Sequence, residues 1–356
     1  MSAWAGLLVF AALQPAALRG TVTADVGAEY DSNASRVAVE PPTTPPTTPP
    51  TLQPRAGPLV RALASGSLAY AGPRQRLRVQ LSAGGKIYLL PTLQDQNVGV
   101  VQLGYEHGAQ LERVRLTGAI DYYDAFQAPA APEESRDLRS LQAALRLLAA
   151  RPLGERHRIE GGLDVGGQLF QYKPDSGFSF LAPSVTGRFG AHLHAGDPEL
   201  GHDFDLTSHA RFEYRGYMGA RTDLFLQLGG AATWQGPVLL QLGYTAQLNF
   251  SSKAQESYQR HLPLLKLAFR LPGDLYVTAK GQLNLLSGTA GLFVPAGNVD
   301  DDNRSLALLD LERPLGRGFA VSARYTGFFS LPRDAGPSYQ RHTAYLGLAY
   351  SQRLPR

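Results

Sequence analysis

The chain has 356 residues, no cysteine, 38 glycines, a formal charge of +4 and only 18% charged residues. Without cysteine there is neither a disulfide framework nor a thiolate metal site. The basic residues are spread singly and no aromatic-plus-basic RNA motif is present, which argues against nucleic-acid binding. Few charges with abundant glycine are unusual for a soluble enzyme but expected where half of each strand faces lipid.

In chain order, Met1–Gly20 holds an apolar run, Ala3 to Leu13, followed by Gln14-Pro15-Ala16-Ala17. The run is too short to cross a bilayer as a helix and resembles a secretory signal peptide, with cleavage expected near 17–20. Residues 21–30 alternate Val22, Ala24, Val26, Ala28, Tyr30 and read as a first strand. The Pro/Thr-rich stretch at 38–57 cannot join a sheet, because proline supplies no N–H, and it reads as an extracellular loop. Fifteen more strands follow, at 59–70, 75–86, 97–107, 110–123, 137–150, 156–172, 178–193, 203–217, 221–234, 236–250, 256–271, 273–286, 303–314, 317–330 and 340–353. Their connections alternate long and short: GGKIYLLPTLQDQ then HGA, DAFQAPAAPEESR then ARPLGE, SSKAQ then PG. Arg151-Pro152-Leu153-Gly154 and Arg313-Pro314-Leu315-Gly316 read as equivalent periplasmic turns. Over 136–150, Leu138, Leu141, Leu145 and Leu148 also fit helical spacing, but the surrounding rhythm favours a strand.

The clearest element is 237–250, PVLLQLGYTAQLNF. Leu240, Leu242, Tyr244, Leu248 and Phe250 fall on one face; Gln241, Thr245, Gln247 and Asn249 fall on the other. Its length suits a tilted membrane strand of roughly 9–11 residues. Recurrence of this pattern with an even strand count predicts an all-β fold: a transmembrane antiparallel up-and-down β-barrel of about 16 strands (14–18) over 21–356.

If the pleat assigns faces in this way, the water-filled interior carries Arg113, Arg115, Arg188, Arg211, Arg215, Lys266, Arg270, Lys280 and Arg324. Inward acids are fewer and include Glu160, Asp164, Glu213, Asp310 and Glu312. Two readings stand side by side: a lumen that favours anions by charge rings, or arginine–acid networks that brace the wall. No catalytic motif is visible, so no enzyme is expected. His192, His194 and His202 lack a convergent carboxylate, Ser208-His209 lacks a triad context, and the acidic run at 298–303 lacks the EF-hand spacing. No metal and no cofactor is expected.

Gly27, Tyr30-Asp31-Ser32-Asn33 and Arg36 resemble the opening strand of a broad group of outer-membrane β-barrel porin-type proteins, which includes barrels tied to polysaccharide export. Tyr345, Gly347 and Tyr350 partly match the C-terminal signal read by the barrel-assembly machinery, with Gln352 and the terminal Arg356 as departures. The resemblance implies residence in the outer membrane of a Gram-negative cell and contact with outer-membrane lipid. It further implies passage through the assembly machinery and periplasmic envelope-complex partners. The implied function is a conduit, porin-like or part of an export assembly. The alternative is a non-conducting anchor that presents surface loops for adhesion or motility.

Overall fold

The computed structural model describes residues 17–34, 55–72, 75–90, 95–107, 113–126, 138–152, 157–172, 179–194, 203–254, 257–287, 304–330 and 339–354. The strands are β1 (Ala17–Asp31), β2 (Gly57–Ala71), β3 (Gln75–Tyr88), β4 (Asp95–His107), β5 (Arg113–Phe126) and β6 (Leu138–Pro152). They continue as β7 (His157–Tyr172), β8 (Phe180–His194), β9 (Asp203–Tyr217), β10 (Thr222–Gln235), β11 (Val238–Ser251) and β12 (Tyr258–Leu271). The last five are β13 (Leu275–Gln282), β14 (Leu285–Ser287), β15 (Ser305–Gly316), β16 (Phe319–Phe329) and β17 (Gln340–Leu354).

Neighbouring staves pair antiparallel, and β1 pairs with both β2 and β17, which closes the sheet into a barrel of sixteen staves. β13 and β14 are two halves of one stave, since both pair with β12. The break lies opposite Pro263, which has no N–H to give the ladder. Asn284 N instead donates to Ser305 Oγ at 2.9 Å, and Leu283 N to the Pro263 carbonyl at 3.0 Å. The β8–β9 ladder skips Ala182 and Pro183 for the same reason.

The pleat sorts the side chains. On β1, Val22, Val26 and Tyr30 are exposed on the outer face, whereas Glu29 and Asp31 are buried on the inner one. On β11, Leu242 is 54% exposed and Phe250 59%, against 2% for Asn249 between strands. Leucines and valines thus form an apolar outer band, and the charges are turned inward. Outward aromatics gather near both rims: Tyr70, Tyr105, Trp234, Phe319 and Tyr350 at the end with the short turns, and Tyr30, Tyr214 and Phe250 at the other. Such girdles mark the two interfaces of a membrane barrel.

The stretch with competing helical spacing is β6. Leu141, Leu145 and Leu147 point outward, while Arg146 and the buried Leu148 lie on the opposite face. A helix would have grouped Leu148 with Leu141 and Leu145. Ladders to β5 and β7 along the whole strand overrule the local preference.

Some boundaries differ from the sequence reading. β1 begins at Ala17, and Ala17–Gly20 pair with Leu68–Ala71, so these residues belong to the wall; residues 1–16 lie outside the described residues. β3 runs to Tyr88, two residues past the expected strand end at 86; Lys86 and Arg61 stand in register there. Gly57, expected in the Pro/Thr-rich loop, opens β2, and residues 38–54 of that loop lie outside the described residues. Arg313–Gly316 are strand, with a register shift at Pro314/Gly316, and the turn falls at Arg317-Gly318. Gly318 has φ of +85°, and a Cβ there would stand 2.3 Å from the Ser351 carbonyl oxygen, so glycine is required.

Candidate functional site

The inner wall carries the chemistry. On β9, the pleat sets His209, Arg211, Glu213 and Arg215 on one inward row. Glu213 is buried between two guanidinium groups: Arg211 Nη2 reaches Oε2 at 2.5 Å, and Arg215 Nε bonds Oε1. Arg215 also lies 4.6 Å over the Phe225 ring and 5.5 Å over Phe180. Arg324 Nε meets Asp310 Oδ1 at 3.1 Å and its Nη2 meets Oδ2 at 3.3 Å, across β15–β16. Arg146 holds the buried Asp164 at 2.7 Å, and Thr186 Oγ1 donates to the other carboxylate oxygen at 3.3 Å. Arg221 binds Asp223 through both oxygens at 2.9 and 2.6 Å. These pairs cross from one strand to the next or link i to i+2, and they tie the wall together.

Of the residues singled out in the sequence, Arg211, Arg215 and Arg324 are therefore engaged with acids. Arg115 is inward on β5, in register with Glu106. Arg270 has the inward parity of Lys266 and sits beside the 272–274 turn, about 60% exposed, where it bridges to Asp274 at the rim. The cause is position, since Leu271 ends β12 one residue later. The side chain of Arg113 lies outside the described residues. Arg188 and Lys280 are inward by register, and among the described residues neither makes an ion pair.

Arg188 lines an inner cavity of about 530 Å³ together with Arg146, Asp164, Thr186, His209 and Arg211. Gln227 hydrogen-bonds the His209 ring at 3.0 Å and accepts from Gln247 at 3.3 Å, so the cavity floor is an amide–imidazole chain. A larger apolar groove of about 820 Å³, lined by Val101, Ile120, Leu141, Leu145, Leu181 and Met218, lies on the outward face and carries no charge. Ser208 and His209 point to opposite sides of the wall, as neighbours on a strand must, so they form no dyad. The side chains of His192, His194 and His202 and the run at 298–303 lie outside the described residues. Among the described residues no metal-ligating group of three is found.

A second charged assembly, not anticipated from the sequence, lines the seam between first and last strands. Asp31 is fully buried and receives Arg341 Nη2 at 2.5 Å, Arg341 Nε at 3.0 Å, Tyr88 Oη at 3.0 Å and the Asn33 backbone N–H at 3.0 Å. Asn33 Nδ2 donates to the Gln340 carbonyl at 3.1 Å, and Ser32 exchanges two hydrogen bonds with the His342 backbone. One pleat further in, Glu29 accepts from Lys86 at 2.6 Å and faces Arg61 at 3.6 Å. Arg61 lies 5.4 Å over the Tyr345 ring, whose hydroxyl bonds Asp25. That ring crosses the facing pair Gly27 and Gly347; a Cβ on Gly27 would stand 2.3 Å from the Leu346 carbonyl oxygen and 2.7 Å from Tyr345. The Asp31-Ser32-Asn33 motif is thus the clasp that joins chain start to chain end. Its signal was present as the odd-numbered face of β1: Asp25, Gly27, Glu29, Asp31.

Comparison by sequence finds no matching family model and no matching characterised protein. Comparison of folds finds CdiB from Escherichia coli, with a TM-score of 0.56 and 13% identity over 96% of this chain and 64% of that one. The fold is that of an outer-membrane β-barrel. CdiB from Acinetobacter baumannii aligns with a TM-score of 0.51 and 9% identity, over 92% of this chain and 60% of its own. OmpF from Salmonella typhi, solved with daunomycin, aligns at a TM-score of 0.49 and 12% identity over 93% and 97%. The chain spans a little under two thirds of either CdiB chain.

Proposed function

We propose that the chain resides in the outer membrane of a Gram-negative cell and serves there as a conduit with an anion-leaning interior. The observation that carries this reading is the imbalance on the inner wall. Of the described inward acids, Asp31, Glu29, Asp164, Glu213 and Asp310 are each held by at least one cation and Asp25 and Glu312 by none, yet inward Arg and Lys outnumber inward Asp and Glu, and Arg188, Lys266 and Lys280 have no ion-pair partner among the described residues. Cations left over in a water-filled passage bias it toward anions. Barrel-assembly machinery during biogenesis and periplasmic partners of an export or envelope-spanning assembly belong to the same proposal. No catalytic step is part of it.

Planar-bilayer recording of the refolded chain tests the reading. Open steps with a chloride-over-potassium preference are expected. In Arg188→Gln the preference should fall on the order of fivefold, the factor for about 1 kcal/mol at ~4 Å from a unit charge in water. Silence in the bilayer would favour the second reading, a non-conducting anchor presenting its loops. One observation speaks for that reading: at the loop-side mouth Asn33, Ala34, Leu59, Tyr88, Tyr339 and Arg341 are all buried, so part of the opening is filled by side chains.

A further inference from the structure

Lys266 on β12 and Lys280 on β13 stand directly opposite each other in the antiparallel ladder. Both fall on the inner face, in the rows of Gln241 and Thr278. Like charges in this relation repel and destabilise a sheet, so an unrelieved pair calls for a reason. Arg146, Arg211, Arg215, Arg324 and Arg341 are relieved by acids; this pair is not. No carboxylate lies within 4.0 Å of either lysine among the described residues. The closest in register is Asp310, one pleat along on β15, and both of its oxygens are taken by Arg324. The immediate neighbours are neutral: Gln241 in register with Lys266, Gln282 and Thr278 along β13, and the apolar Leu264 and Leu308.

From this arrangement we propose that Lys266 and Lys280 form a binding station for a dianionic phosphoryl group within the barrel. Cross-strand neighbours stand about 4.5–5.5 Å apart at Cβ, close enough for two flexible stems to converge on one phosphate. Each ammonium offers three donors and acts as a compact point charge, a form well suited to phosphate. Gln241, Thr278 and Gln282 add neutral hydrogen-bonding groups around it. Two positive charges with no acid between them match the two charges of the ligand, and binding converts repulsion into a bridge. That the station lies along a transport path rests on the conduit reading; binding itself does not.

The test is thermal unfolding of the full refolded chain in detergent, at equal low ionic strength in chloride, inorganic phosphate or glycerol phosphate. The unmodified barrel should melt about 3–5 °C higher in either phosphate than in chloride. In Lys266→Gln/Lys280→Gln this increment should vanish, and the chloride melting temperature should rise because the repulsion is gone. Lys280→Arg keeps the charge and should keep the increment. An increment with inorganic phosphate alone would identify the free ion as the ligand, and one with both would identify the phosphoryl group. No increment in the unmodified barrel, or one that survives the double substitution, overturns the proposal. A barrel silent in bilayers that still shows the increment keeps the station and loses the conduit; open steps without the increment do the reverse.

Discussion

Asp31→Asn is expected to cost the barrel about 3–5 kcal/mol, the loss that follows when one partner of a buried ion pair is removed and the other stays charged. Arg341 is 3% exposed and has Asp31 as its carboxylate partner, so the substitution leaves a guanidinium facing an amide in a closed space. The site also fixes three strands at once, since Tyr88 of β3 and Arg341 of β17 meet on the β1 carboxylate. Removing both charges should hurt less. Asp31→Asn/Arg341→Met leaves no buried charge, and its loss should fall clearly below the sum of the single losses. Urea titration of folding into detergent micelles measures all three variants. Arg270→Gln is the control: Arg270 and Asp274 are both about 60% exposed at the rim, and a change within ~0.5 kcal/mol is expected. If Asp31→Asn behaved like Arg270→Gln, the clasp would not be what holds the seam.

The second large effect compares neighbours on β11. Leu242→Arg should destabilise the barrel in lipid by roughly 2–4 kcal/mol, because position 242 is half exposed in the middle of the outward apolar band. Gln241→Arg, one residue away, faces the inner wall beside Lys266 and should cost less than about 1 kcal/mol, from like-charge crowding alone. Both substitutions add the same side chain to the same strand. Only the face differs, so a difference in folding free energy into vesicles isolates the environment on each side of the wall.

Much of the fold was legible because the pleat writes itself into sequence with a period of two, and turns with Pro and Gly. The faces of β1 and β11 could be read directly, and the alternation of long and short connections marks an even stave number. What was misread has local causes. Ile87 and Tyr88 lie past the expected strand end at 86, yet the ladder to β2 carries them as strand. Arg313–Gly316 carry turn residues but only a register shift, and the chain reverses two residues later. The break between β13 and β14 is set by Pro263, some twenty residues earlier in the chain. The inner wall was legible in part: parity gives the face of an arginine but not its partner. Arg211 and Arg215 gave no sign that both grip Glu213, nor Arg270 that its turn lifts it to the rim. The clasp escaped because its halves are 310 residues apart, and nothing in the residues around Asp31 names Arg341. Closure is a property of the whole ring.

The chain has no cysteine, so a reporter can be placed one position at a time without background. Single cysteines at positions 239 to 250 on β11, labelled with an environment-sensitive dye in vesicles and quenched from lipid tails or from water, test the sorting of the wall most directly. Even positions should be quenched by lipid and odd positions by the aqueous quencher, alternating without a break. Loss of that alternation, or an opposite phase that puts Leu242 and Leu248 in water, would contradict the account.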